Sequence, residues 1–231
     1  MITPSEKETF LSEVGSNIQQ KSKQESYKEL VAQRKRCFLC EGVENPSKIN
    51  NGEYDSDFIN PWSKWKSNLN AKVMVIGQDW GNVKHFVKNK GTVDNNNNTN
   101  KRLLTYLELI EVDQEDTYFT NTIKCMKQSN DMSGKINSKW ITNCGEIFLK
   151  KEIEIVSPDI ILVLGKKAFD VICKLYSIKK CRNLGIAINK SNPFIINNKI
   201  KVFPLYHLST RVVNRSVAQQ EQDWMRIKQH L

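Results

Sequence analysis

The stretch VMVIGQDWGN, residues 73–82, sets four apolar residues against a glycine and then delivers Gln78, Asp79 and Trp80 before a second glycine. A short apolar run rich in β-branched residues and closed by glycine is the pattern of a strand buried on both faces. KVMVIG (72–77) is therefore read as a strand with an acid at its mouth. A surface turn alone would also account for the glycines and the aspartate.

Comparable runs recur on both sides. TYFTNTI (117–123) reads as a second strand and PDIILVLG (158–165) as a third, running straight into the helical spacing of KKAFDVICKLY (166–176). FIIN (194–197) and KIKVFPLYH (199–207) are either a hairpin or a fourth strand. Residues 5–36 suggest one or two amphipathic helices broken near Gly15, and further helices are expected over 101–112, 138–156 and 216–231. Residues 41–70 are rich in loop formers, with Trp62 and Trp65 as packing anchors, and KNKGTVDNNNNTN (88–100) reads as a surface loop. Strands alternating with helices imply an α/β fold. The expected architecture is three-layer α/β/α around a central, mainly parallel four-stranded sheet, in one domain over 1–231 with 1–36 as a helical extension.

Composition narrows the classes. No apolar run approaches the ~20 residues of a membrane span, and the N-terminus lacks the basic start and apolar core of a secretory signal; a cytoplasmic protein, with no membrane partner and monomeric, is expected. Lys and Arg outnumber Asp and Glu by 35 to 25, a net charge of +10. That surplus points to a polyanion such as DNA or RNA, although lysine- and asparagine-rich chains also arise from AT-rich genomes. Six cysteines in a reducing compartment are not expected to form disulfides. Cys37 and Cys40 form a C-x2-C pair, and Cys125 and Cys144 follow at a distance.

In open parallel sheets, ligands bind beyond the carboxyl ends of the strands. Three of these ends carry Asp79, Asn121 and His207, so an acid, an amide and an imidazole should converge on one edge. Singly, each has a plainer explanation: a helix cap, a turn closure and an interior histidine.

Taken in order, these segments resemble the uracil-DNA glycosylase superfamily, and its iron–sulfur-containing branches in particular, over roughly residues 37–224. GQDWG (77–81) resembles the family's first motif, FTNTIKC (119–125) its strand with the base-reading asparagine, SPDIILVLGKKA (157–168) its proline–strand–Leu-Gly–helix segment, and YHLSTR (206–211) its His-Pro-Ser and intercalating loop. The resemblance implies a DNA glycosylase that hydrolyses the N-glycosidic bond of a flipped uracil, or of another deaminated or modified base, in single- or double-stranded DNA. In that role Asp79 would stabilise an oxocarbenium-like sugar and orient water. Asn121 would read the pyrimidine edge. His207 would donate to O2 from a neutral ring. Gly77 and Gln78 would offer backbone contacts, and Phe86, or else Trp80, an aromatic shelf for the base. Arg211 is the wedge candidate beside Val212, and Arg215, Lys101 and Arg102 are phosphate-contact candidates; a solvated basic surface is the plainer reading of each.

None of the motif residues given a role is a lysine poised to form a Schiff base, so water is the expected nucleophile and the enzyme monofunctional. The sequence departs from the best-known motif at Gly81, where a tyrosine blocks thymine's methyl, and at Trp80 and Leu208, which replace prolines. Cys37, Cys40, Cys125 and Cys144 resemble the family's ligand set for a [4Fe–4S] cluster, with zinc as the alternative; Cys173 reads as core, and Cys181 has no assigned place. Two competing readings are a catalytically silent nucleic-acid-binding protein and an unrelated nucleotide-binding α/β enzyme. The absence of G-x-G-x-x-G and G-x4-G-K-[ST] disfavours the latter.

Overall fold

The computed structural model describes residues 21–65, 67–128, 136–209 and 215–231. Its central sheet runs β3 (Thr117–Asn121), β2 (Val73–Gly77), β5 (Ile160–Leu164), β7 (Ile200–Leu205), β6 (Phe194–Ile196). The first four are parallel neighbours, with Val75 opposite Phe119 and Leu162, and Leu162 opposite Phe203. The expected four parallel strands are thus present, but the sheet has five. β6 returns antiparallel on β7, pairing Ile196 with Ile200. The turn between them puts Asn197 and Asn198 at φ 49° and 59°, the left-handed pair that a tight hairpin turn needs and that asparagine tolerates.

The strands bury both faces, and their alternation sorts the core into two layers. Met74, Ile76, Ile161, Val163 and Val202 pack with Phe148, Ile153, Phe169 and Ile172 on one side. Val73, Val75, Phe119, Leu162 and Leu205 pack with Leu103, Leu107, Trp224 and Ile227 on the other. Helices therefore cover both faces, which completes the three layers.

The N-terminal extension is described from its second half. The helix α1 (Lys23–Lys35) starts at a Ser22–Glu25 capping box, which satisfies two otherwise orphaned N–H groups. It buries Tyr27, Leu30, Val31 and Arg34. The expected helix around Phe10 and Val14 lies outside the described residues. After β2 comes the short α2 (Val83–Lys88), then α3 (Asn98–Leu109), which Asn97 caps. The Asn-rich loop thus ends as the first turn of a helix. The helix expected over 138–156 forms as α4 (Ser138–Cys144) and α5 (Lys150–Val156), joined without a break by a π-helical turn at Gly145–Leu149. Next come α6 (Lys166–Leu175), the short α7 (Leu184–Ile188) and the closing α8 (Val217–Lys228). No described helix is long and apolar enough to cross a membrane.

The loop-rich region also holds an element that periodicity does not reveal. β1 (Val43–Glu44) pairs antiparallel with β4 (Met126–Lys127) in a small ribbon beside the main sheet. It joins the C-x2-C segment to the chain that follows Cys125.

Candidate active site and thiol cluster

A cleft of about 670 Å³ opens at the carboxyl edge of the sheet, and Asp79, Asn121 and His207 all line it. The ends of β2, β3 and β7 deliver the three side chains. Gly77 makes this convergence possible. A Cβ there would stand 2.4 Å from Asn121 Oδ1 and 2.7 Å from the Trp62 ring, so only hydrogen fits.

Asp79 is held at both carboxylate oxygens. Gln78 Nε2 donates to Oδ2 at 2.7 Å, and Lys127 Nζ lies 3.2 Å from Oδ1. Gln78 serves through its backbone as well, its carbonyl accepting from Ile123 N–H at 3.0 Å and from the Thr122 hydroxyl at 2.6 Å. These bonds lock the first motif to the end of β3.

Asn121 is 2% exposed, and its Nδ2 has no hydrogen-bond partner among the described residues. An unpartnered buried amide is costly, and a ligand in the cleft would satisfy it. Its backbone carbonyl accepts from Lys124 Nζ at 2.5 Å. Lys124 is itself fully buried in an ion pair with Glu152, which also accepts hydroxyl bonds from Tyr118 at 2.8 Å and Thr120 at 2.7 Å. Sequence reasoning missed this polar cluster under the asparagine. Its one local signal was a lysine beside Cys125, just past the segment read as the second strand (117–123).

His207 is set by two features. Burial pushes its pKa below the usual value, against the opposing pull of Asp79. Its Nδ1 accepts the Ser209 backbone N–H at 3.1 Å. A neutral ring accepting at Nδ1 carries its proton on Nε2. Gly165 caps α6 at φ 91°, a left-handed conformation that suits glycine; a Cβ there would meet His207 Cβ at 3.5 Å, an ordinary contact, so the backbone angle and not the space calls for glycine.

The aromatic assignments change. Phe86 is 1% exposed and packs against Ile49 and Met126, facing away from the cleft, because the short α2 turns that side toward the β1–β4 ribbon. Trp80 does line the cleft, with its ring 5.8 Å from that of His85. Trp62, read as a packing anchor, lines it as well. The Asn-rich segment, read as surface loop, contributes Asp94 and Asn97 to Asn100 to the wall.

The basic candidates separate. Arg215 donates to both oxygens of Asp223, at 2.9 and 2.5 Å, and to Asn189. Its guanidinium is therefore spent within the fold rather than offered to phosphate. Lys101 is exposed and Arg102 half-buried, both on α3 just after the turn that lines the cleft. Arg211 and Val212 lie outside the described residues.

The four cysteines singled out by spacing surround a second cavity, of about 270 Å³. Asn143 Nδ2 donates to Cys40 Sγ at 3.3 Å. Burial pushes the Cys144 thiol up to about 11 and the Cys125 thiol higher still. Cys173 is buried in the core, and Cys181 packs partly buried against the same cluster. Among the described residues, no three Cys, His, Asp or Glu side chains draw together closely enough for a single metal ion. Four thiols around a sizeable space suit a multinuclear cluster, whose iron atoms each take one thiolate. They suit zinc less well, since bonds of about 2.3 Å gather its ligands tightly around one point.

Comparison with known proteins follows the same lines. A type-4 uracil-DNA glycosylase of Saccharolobus solfataricus is 28% identical over 175 residues, spanning 72% of this chain and 74% of that protein. One of Thermotoga maritima is 28% identical over 200 residues, spanning 83% and 86%. The profile of the Uracil DNA glycosylase superfamily matches residues 65–229, well over half of the chain, and includes the strand ends bearing Asp79, Asn121 and His207: the protein belongs to the uracil-DNA glycosylase superfamily.

Proposed function

We propose that the cleft hydrolyses the N-glycosidic bond of a uracil, or of a related modified base, flipped out of DNA. The carrying observation is the presence of Asp79, Asn121 and His207 in one cleft at the sheet edge. As the bond to the base lengthens, positive charge grows on the sugar and negative charge on the base. The Asp79 carboxylate stabilises the first and orients water toward C1′. His207 answers the second by donating from Nε2 to O2. The Asn121 amide, which has no partner among the described residues, donates to O4, while its oxygen accepts from N3–H. Trp80 and Trp62 offer aromatic surface for the extruded base.

The cleft is roomy, and Gly81 leaves no side chain at the position that screens C5 in the best-known motif. A pyrimidine enlarged at C5 therefore belongs in the substrate panel beside uracil. DNA is the macromolecular partner, consistent with the +10 charge.

Cys37, Cys40, Cys125 and Cys144 would hold a [4Fe–4S] cluster, whose contribution is to bind the N-terminal region to the catalytic core. The buried thiols fit this, because a bound metal compensates the burial of thiolates that are otherwise held protonated.

The deciding experiment incubates the full chain with single- and double-stranded oligonucleotides carrying uracil, thymine or 5-hydroxymethyluracil, followed by alkali cleavage at abasic sites. Strand scission at uracil, with about a 100- to 1,000-fold slower rate in Asp79→Asn and unimpaired binding, is expected. Binding without base release across the panel would leave the catalytically silent reading in its place.

A further inference from the structure

Lys127 carries no role in the sequence motifs, yet it forms an ion pair with Asp79. Its side chain is 2% exposed and that of Asp79 7%, with Nζ 3.2 Å from Oδ1. Asp79 lines the cleft and Lys127 does not. The cation therefore stands behind the carboxylate, and the negative end of the pair faces the space where a sugar would develop positive charge.

The placement of Lys127 depends on the ribbon. Lys127 ends β4, opposite Val43 of β1. Its backbone N–H donates to the Gly81 carbonyl at 2.9 Å, and the next residue, Gln128, donates to Gly42 at 3.2 Å. Cys125 precedes Lys127 by two residues, and Cys40 precedes Val43 by three. The chain that gathers the thiols is thus the chain that delivers the ammonium to the first motif.

A carboxylate bonded at one oxygen can still swing about its last torsion. Bonded to Gln78 at one oxygen and to Lys127 at the other, its plane is set. Rates of positioned reactions fall steeply with small misplacements, about 100-fold for 1 Å. We propose that Lys127 is a positioning residue, which fixes the Asp79 carboxylate in the orientation that base excision requires and ties that orientation to the thiol-lined ribbon. The proposal rests on the reading of Asp79 as the acid that serves glycosidic cleavage.

The test uses the full chain with single-turnover kinetics on a uracil duplex, binding to an uncleavable analogue duplex, and visible absorption with thermal melting to follow folding. Lys127→Met is expected to slow the chemical step about 10- to 100-fold with duplex affinity within about twofold. Lys127→Arg should recover at least a third of the rate. In an Asp79→Asn background, Lys127→Met should cause no further loss, because the two act as one unit. Should the methionine variant fail to fold, Lys127→Gln takes its place under the same criteria.

A wild-type rate in Lys127→Met or Lys127→Gln would overturn the proposal, as would a full additional loss in the Asp79→Asn background. Borohydride trapping of a covalent DNA adduct that disappears with Lys127 would instead make the lysine a nucleophile. A wild type that releases no base from any oligonucleotide defeats the functional reading itself, a different result from an active enzyme indifferent to Lys127.

Discussion

Ser209 and His207 are joined by a bond that decides where the imidazole proton sits. The Ser209 backbone N–H donates to His207 Nδ1 at 3.1 Å, leaving Nε2 to carry hydrogen in the neutral ring. Protonating the ring would turn two N–H groups against each other at Nδ1. Burial opposes it too, holding the pKa below its ordinary value.

The direction of that shift fixes a pH dependence. Unfolded, the histidine takes a proton near pH 6.5; folded, it takes one only at lower pH. Between the two values the unfolded chain binds more protons, so stability falls as pH drops through that window and is regained above it. His207→Asn should flatten the decline in melting temperature between pH 7 and 5. The same variant should slow base release about 100-fold or more at pH 7.5 while leaving duplex affinity near wild type. A melting profile that keeps the full acid decline in the variant would assign the effect elsewhere.

Gly77→Ala tests how far the packing of the site positions Asn121. Its methyl would meet Asn121 Oδ1 at 2.4 Å and the Trp62 ring at 2.7 Å. The expected outcome is a loss of about 1–3 kcal/mol in stability from overpacking and a much larger loss in base release than in duplex binding, since Asn121 would be pushed out of place. Urea titration and single-turnover kinetics check the two parts separately.

Arg215 and Lys101 should part company in salt. Arg215 serves Asp223, which is 3% exposed on its side chain and is also paired with Arg226. Arg215→Ala should cost about 1–3 kcal/mol of stability and leave the dependence of log affinity on log salt unchanged. Lys101→Ala should leave stability alone and reduce that slope by about 1, the signature of a lost phosphate contact. Fluorescence anisotropy across a salt series reads both.

For the thiol cavity, Cys125→Ala is expected to abolish the broad visible absorption of an iron–sulfur preparation. Because α1 is also clipped by Arg34, through Asp55 and the carbonyls of Ser56 and Phe58, the chain should still fold. A loss of about 3 kcal/mol would lower its melting temperature by roughly 6–12 °C. Stoichiometric zinc in a colourless wild-type protein would refute the cluster.

The three apolar strands, the longer helices that alternate with them and the strand ends bearing Asp79, Asn121 and His207 were legible in the sequence, whereas the short helices Val83–Lys88 and Leu184–Ile188 were not. Such features repeat with the period of the backbone itself, and a few neighbouring residues suffice to show them. The C-x2-C pair with Cys125 and Cys144 was legible as spacing. Tertiary structure decided the rest. Val83–Lys88 is less than two helical turns, too short for a pattern to say which side Phe86 would face. Whether FIIN would join the sheet depended on a free edge at β7. Arg215 looked available until Asp223 was folded against it, and Lys127, in none of the motifs given a role, stands beside an acid 48 positions earlier only because β4 brings it there. Local patterns announce an element. Which charges end up facing each other follows from strand order and chain path, and no local stretch of sequence contains those.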